Sequence, residues 1–566
     1  MTKTAFLLCT ALAALPVAAQ AERGADGDLK IHYWQVATHL NPYLSGIAKE
    51  VEAASLVLEP LARFDEKGAL VPWLAESIPT IDNGGVAADM RKITWKLRDG
   101  LKWSDGSAVT AKDAVFTWQY CTHPNAGCAA LAMFDGVSEV KALDDRTVEI
   151  SFSEPKPYPY VPLVSSTTPI LQAAQFKDCL GERMAQCTVQ NFKPIGTGPY
   201  KVDEFLTNDI AVYSVNPHFR FADKPHFASV SIKGGGDPAG AARAVLETGE
   251  VDYAWNLQIA PDVLAAMAQR GIGAPVVDYG AAVEFLFFNM TNPDPSLGEA
   301  RSTAQGGVHP ILGDIRVRQA LSMAIDRTLL TEALYGELGR PTCNVVPAPE
   351  LYASTTTAGC ELPDVDRAKA LLDEAGWKDT NGDGIRDKDG HKLALSFMTS
   401  TNGVRQDTQM LIQQWWLEIG VQTELRNVAA SVYFGGDVGN PDTRQKFYAD
   451  VQMYTDNSKG QDPEAFLARW SCKGIPSPAN QWQGSNVQRF CDPAFDALSQ
   501  QFRSAASLPE RGRISKEMND ILVNSYTISP LVHRGNVSGK AKTLEGVRMN
   551  SWDSQIWNIM DWHRAK

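Results

Sequence analysis

Residues 93–120 read ITWKLRDGLKWSDGSAVTAKDAVFTWQY, and the fold class is decided here. Ile93, Trp95 and Leu97 alternate with Thr94, Lys96 and Arg98, the period-2 pattern of a half-buried strand. Asp99-Gly100 and Ser104-Asp105-Gly106 supply two turns, because glycine reaches positive φ without a Cβ clash. Thr110 opens Thr-x-x-Asp, a loose capping box, ahead of a helical run in which Val115 and Trp118 share a face. Strand, turn, strand-like segment and capped helix in one uninterrupted block describe an α/β unit.

Upstream, residues 29–36 form a first strand and residues 50–61 a helix with Val51, Ala54, Leu58 and Leu61 at helical spacing. Downstream, residues 142–152 make a hairpin turning at Asp144-Asp145, followed by a proline-rich connector, 155–162. Pro194 to Tyr200 (PIGTGPY) is a chain reversal before a strand over 200–205. It lacks the helix-opening context of a phosphate loop. The apolar run 280–290 suits a buried strand, or a crossover into the next domain. Helical stripes follow from 315, over 366–375, and over 404–419, where Leu411, Ile412, Trp415, Trp416 and Ile419 share a side; a strand resumes at Val421. The tail, 546–562, reads as strand-like and aromatic.

The block at 97–118, LRDGLKWSDG followed by VTAKDAVFTW, closely resembles the hallmark of the extracytoplasmic solute-binding proteins of the peptide/nickel class, which serve ATP-driven importers. Glu59-Pro60-Leu61, Trp73 to Ser77, the GTGPY turn, GEVDYAW at 249–255 and IRVRQALSMAIDR at 315–327 resemble family segments in the same order. The resemblance implies a two-lobed periplasmic-binding-protein fold of the large class II type, with an extra third domain and discontinuous segments. These are expected at 22–58, 194–289 and 529–566 for the first domain, 59–193 for the extra domain and 290–528 for the second lobe. It implies capture of a short peptide and delivery to a permease and its ATPases, by a monomer that performs no chemistry. An oligosaccharide or opine-like sugar–amino-acid conjugate is the alternative ligand, and a secreted hydrolase the alternative class.

Residues 1–21 carry one charge, Lys3, an apolar core and an A-x-A site. They read as a signal peptide cleaved after Ala21, placing the mature chain in the periplasm. That chain holds 52 basic and 66 acidic residues, a net charge of −14. This argues against nucleic acid or an anionic membrane as partner. Eight cysteines remain in four local couples. Loop-closure entropy favours nearest neighbours, so the expected bridges are Cys121–Cys128, Cys179–Cys187, Cys343–Cys360 and Cys472–Cys491. Zinc is the rival, but no C-x-x-C occurs and only His123 lies near a couple.

No H-E-x-x-H, G-x-S-x-G or P-loop is present, so no enzyme is expected. No cofactor is expected either, with one alternative. Asp379, Asn381 and Asp383, with Asp387 beyond, have the spacing of oxygen ligands in a calcium loop, although position 12 is Gly390; a solvated turn is the other reading. For ligand binding, the resemblance nominates Trp34 and Trp255, whose segments line the family's cleft. It nominates Tyr454, Asp456 and Asn457, matching a segment whose aspartate holds a peptide α-ammonium, against a plain turn. It nominates Arg405 for a ligand carboxylate, against an exposed helix-start arginine. The last two roles together would match the two ends of a zwitterion.

Overall fold

The computed structural model describes residues 22–437 and 439–565; the expected signal peptide, residues 1–21, lies outside the described residues. Two large mixed sheets organise two lobes. The first has seven strands, in the order Gly273–Asp278, Asn536–Ala541, Tyr253–Trp255, Asp28–Tyr33, Ser229–Gly234, Ile210–Val215 and Tyr200–Leu206. The second has six, in the order Gly339–Pro341, Ile528–Arg534, Val283–Phe288, Val451–Asp456, Ala394–Ser400 and Gln422–Val428. Parallel pairing runs through Asp28–Tyr33 in the first sheet and through Ala394–Ser400 in the second. Open α/β sheets bind ligands beyond the carboxyl ends of their strands.

Sheet membership moves two expected boundaries. Val283–Phe288 is buried at every position and pairs on both sides within the second sheet. Ile528–Arg534 is its neighbour there. The chain therefore crosses between lobes at 279–282 and again at Gly535, rather than at 289–290 and 528–529. The largely apolar run demanded two protein faces, and the second sheet supplies them.

The decisive block folds as its pattern requires. Lys92–Lys96 pairs with Thr147–Phe152, which pairs with Val137–Ala142, in a separate three-stranded sheet. Ile93, Trp95 and Leu97 are buried. Gly100 and Gly106 take φ of +67° and +88°. The helix Ala111–Thr122 is capped by Asp113, whose carboxylate accepts from the Thr110 backbone N–H at 2.9 Å. Its buried face differs from expectation. Ala111, Ala114, Thr117 and Cys121 point inward while Val115 and Trp118 are half-buried, and Cys121 on the inward face is bridged to Cys128.

All four disulfides join the expected partners. The first helix is shorter than expected, Ala48–Ala54. Gly196 and Gly198 are glycines for closeness rather than for turning: a Cβ would stand 1.9 Å from the Val57 carbonyl and 2.3 Å from that of Leu56. The tail is not a strand. Residues 546–562 form turns and one short 3-10 segment, Ile559–Asp561, that stitch the first lobe to the extra domain. Asp553 accepts from the Phe64 and Ser166 backbone N–H groups, and Glu52 from that of Gln555. Among the described residues no helix is long and apolar enough to cross a membrane.

Candidate functional site

A chamber lies between the lobes, where both sheets present the carboxyl ends of their parallel strands. It has two connected parts, sharing Gly46, Arg444, Asp456, Asn457, Lys459 and Arg469. The larger, with about 1180 Å³ of empty space partly open to solvent, is walled by Phe64, Met133, Tyr160, Val161 and Phe466. The smaller, about 850 Å³, is lined by Trp255, Arg405, Tyr454, Thr455 and Arg534. The larger part adds most of the apolar wall, while charged residues line the smaller part and the junction between the two.

Trp255 ends its strand and stacks on Tyr33, ring centres 4.8 Å apart and planes 15° from parallel. Its indole N–H has no hydrogen-bond partner. Trp34 sits behind the wall: it is buried, donates to the Asn256 carbonyl at 2.8 Å, and lines neither part. Of the six nominated residues, Trp255, Arg405, Tyr454, Asp456 and Asn457 line the chamber and Trp34 does not.

Arg405 occupies the first turn of the helix Gly403–Glu418, capped by Asn402, but it is not exposed. Only 3 % of it reaches solvent, and it grips Glu284 at 2.7 and 3.3 Å. Burial alone would push the Glu284 carboxyl up. The Arg405 guanidinium, helped by Arg534 and the Thr455 hydroxyl, outweighs it and holds the group below the usual carboxylate range. The cation expected to meet a ligand carboxylate is therefore neutralised from within the protein.

Asp456 is engaged too. It accepts from Arg469 at 3.0 Å and from the Asn457 backbone N–H at 2.9 Å. Arg444 lies 4.9 Å over the Tyr454 ring. Tyr454 stacks on Phe287 at 4.4 Å. Lys459 donates to the Asp553 carbonyl at 2.6 Å. Glu52, which lines the chamber, is pushed up by burial, against the Lys459 ammonium and hydrogen bonds from Ser554 and Gln555.

The lobes meet again where the extra domain touches the second. Lys156 pairs with Glu464, which also takes Arg511 at 2.9 Å, and Arg511 grips Asp462 through two contacts of 2.7 Å. Tyr352 adds a hydrogen bond to Asp462 at 3.1 Å. All four charged residues are at least nine-tenths buried.

The profile described as bacterial extracellular solute-binding proteins, family 5 Middle, matches residues 69–477. The chain belongs to family 5 of the bacterial extracellular solute-binding proteins. This family 5 chain is 26 % identical over 560 residues to the oligopeptide-binding protein AppA of Bacillus subtilis, covering 95 % of this chain and 92 % of that protein. It is also 26 % identical over 443 residues to a putative ABC transporter peptide-binding protein of Brucella ovis, 77 % of this chain and 74 % of the relative. The solved structure of B. subtilis AppA in complex with a nonapeptide superposes with a TM-score of 0.81 at 22 % identity, covering 96 % of this chain and all of that one. The two-lobed fold with an extra domain is thus that of family 5, and the expected membership holds.

The calcium reading finds no fit in the family 5 chain. Asp379 accepts from the backbone N–H groups of Gly382 and Gly384, Asp383 from Ile385 N–H and Lys392, and Asp387 from Thr380. Their carboxylates serve their own turn instead of converging. Among the described residues no group of three or more His, Cys, Asp or Glu is arranged to hold a metal.

Sequence reasoning missed Glu52, Glu284, Arg444, Arg469 and Arg534. One signal was available. Glu284 is the lone charge in Gly280–Met290, and a charge in a buried strand requires a partner.

Proposed function

We propose that this family 5 protein is the solute receptor of an ABC importer, taking up a short peptide in the periplasm and handing it unaltered to a membrane permease. The observation that carries this reading is a chamber enclosed between two lobes that are joined by only two direct crossovers, at 279–282 and Gly535. A ligand touching Trp255 and Asn256 on one side and Tyr454, Asp456 and Asn457 on the other stabilises the closed form by contacts that the open form lacks. Peptide main chain suits the mixture of polar and apolar wall, with side chains entering the larger apolar part. The names of the sequence relatives support peptide as the ligand class. The receptor acts as a monomer, without cofactor and without catalysis, after removal of residues 1–21; the segment 59–193 is a domain of its own.

The test is mass spectrometry of the small molecule released from purified protein, followed by a thermal-shift assay with that molecule and a search for products. A bound peptide that raises the unfolding midpoint and is recovered intact is the expected result. Cleavage of the captured molecule would overturn the reading.

A further inference from the structure

Lys156 belongs to the extra domain but finds its partner in the second lobe. It sits between Pro155 and Pro157 at the start of the proline-rich connector, where proline fixes its own φ and restricts the residue before it to extended backbone. The Lys156 backbone N–H donates to the Met90 carbonyl at 2.7 Å. Its ammonium has one partner among the described residues, Glu464, and only 7 % of the side chain reaches solvent. The group that it enters is built without it. Asp462, Glu464 and Arg511 all lie in the second lobe, Arg511 holding both carboxylates and the Tyr352 hydroxyl donating to Asp462. Two carboxylates against one guanidinium leave one negative charge, which Lys156 cancels. Tyr158, two residues along the connector, has its ring centre 5.5 Å from the same guanidinium and lines the larger part of the chamber.

The seam around this pair differs from the side where the chain crosses over. Beside the crossovers one apolar cluster runs through both lobes, joining Trp34, Leu257 and Val537 to Val283, Tyr433 and Tyr454. The cluster that fills the extra domain holds no residue from 283–534. Its junction with the second lobe is polar instead. Beyond Asp456 and Asn457, Gly460 donates its backbone N–H to the Trp552 carbonyl at 2.8 Å, and Gln461 its side-chain amide to the Lys67 carbonyl at 2.7 Å. Gly460 has φ of +67°, and a Cβ there would stand 2.6 Å from the Phe64 ring. Separating apolar surfaces exposes them to water at a cost that grows with area, whereas hydrogen bonds between protein groups exchange for bonds to water at small net cost. The lobes are therefore joined firmly at the crossovers and are separable at the seam.

We infer that Lys156 is the key of a latch: Asp462, Arg511 and Glu464 form a finished anionic socket, and docking of Lys156 into it locks the lobes closed without touching the solute. The inference rests on the two-lobe closure of the receptor reading and adds the device that holds it. The strap 456–464 runs from the chamber wall to the socket, so a solute that seats Asp456 and Asn457 also sets Glu464 in place for Lys156. Opening strands no charge, since Glu464 keeps Arg511 and Lys156 returns to water.

The experiment compares the full mature chain with Lys156→Glu and Gly460→Ala. Small-angle X-ray scattering without solute reads the separation of the lobes, and far-UV circular dichroism reads the fold. A tryptic digest of casein, loaded on immobilised protein and followed by mass spectrometry as it elutes, reads release. Lys156→Glu brings a third carboxylate to the socket. It is expected to enlarge the radius of gyration, keep the dichroism of the unaltered chain and speed release of retained peptides by about 10- to 100-fold, the scale of one charged hydrogen bond. Gly460→Ala is expected to act in the same direction, by blocking the approach of the strap to Phe64. Equal radii and equal release in all three proteins would overturn the latch and leave the receptor standing. Should Lys156→Glu lose its fold, Gly460→Ala decides: expansion sustains the latch, and an unchanged radius overturns it. If the unaltered chain retains no peptide, the peptide reading falls, and the radii alone judge the latch by the same criterion.

Discussion

At Lys156, Glu464, Arg511 and Asp462, two cations meet two carboxylates; at the charged end of the chamber, five cations meet Glu284, Asp456 and Glu52. The first cluster is buried and the second is partly so, with Asp456, Lys459 and Arg469 half-buried; both lie where parts of the protein meet. The first is closed on itself. Every carboxylate has a cation within reach, and the Tyr352 hydroxyl adds a further donor. The second is left open on the donor side. Removing charges from water is repaid only by partners. A matched cluster therefore holds the protein to itself, and an unmatched one is completed by something arriving from outside.

The largest effect expected from breaking this contrast is in the matched cluster. Glu464→Ala leaves Lys156 and part of Arg511 buried without a counter-charge, and is expected to lower unfolding free energy by about 3–5 kcal/mol in urea. A loss below about 1 kcal/mol would mean that solvent reaches the cluster.

Acid probes the same contrast by a second route. Burial pushes the Glu464 carboxyl up, but Lys156 and Arg511 outweigh it and hold the group below the ordinary range. A carboxyl depressed in the folded state contributes stability that is full above its unfolded value, about 4.3, and is lost as pH falls through its lower folded value. Unfolding midpoints measured from pH 7 down to 3 should therefore hold until about 4 and then drop. Glu464→Gln should begin lower and show a shallower acid fall. The arginines of the chamber do not titrate in this range and take no part.

A smaller effect is expected in the chamber. Burial opposes the Arg444 charge, but Tyr454 and Asp456 outweigh it, so Arg444→Gln should lower the stability of the ligand-free protein by about 1–2 kcal/mol. The smallest effect belongs to the rim. Lys473 pairs with Asp135 at 2.7 Å across the junction of second lobe and extra domain, but the lysine side chain is 68 % exposed. Lys473→Ala should change stability by no more than about 1 kcal/mol, and that change should shrink with added salt. A larger effect would place the latch at the rim rather than at Lys156.

What could be read ahead of the structure was local. The capped helix at 111–122, the turns at Gly100 and Gly106, and the four disulfides each depend on residues a few to about twenty positions apart. The burial of Ile93, Trp95 and Leu97 followed from a pattern of period two. The helix at 403–418 was legible as an element, but its inward face was not wholly so. Arg405, Thr408 and Gln409 are buried beside Ile412 and Trp416, while Leu411 is only half-buried. Polar residues turn inward there because a partner waits across the core, and periodicity of apolar residues cannot see a partner. Trp34 and Trp255 had the same standing in the sequence. Which of them faces the chamber depends on one indole finding the Asn256 carbonyl and the other lying on Tyr33.

By itself the sequence determined an α/β chain with a capped helix after its hallmark strand, four short-range bridges, and membership legible in ordered motifs, since all of these are written in neighbouring residues. Only the tertiary structure decided the electrostatics of the chamber. Glu284 meets Arg405 across 121 positions and Asp456 meets Arg469 across 13, while among the described residues Arg444 has no carboxylate within 4 Å. Whether a charge is balanced depends on distances of 3–4 Å in space, and those are set by how two sheets and an extra domain close on one another.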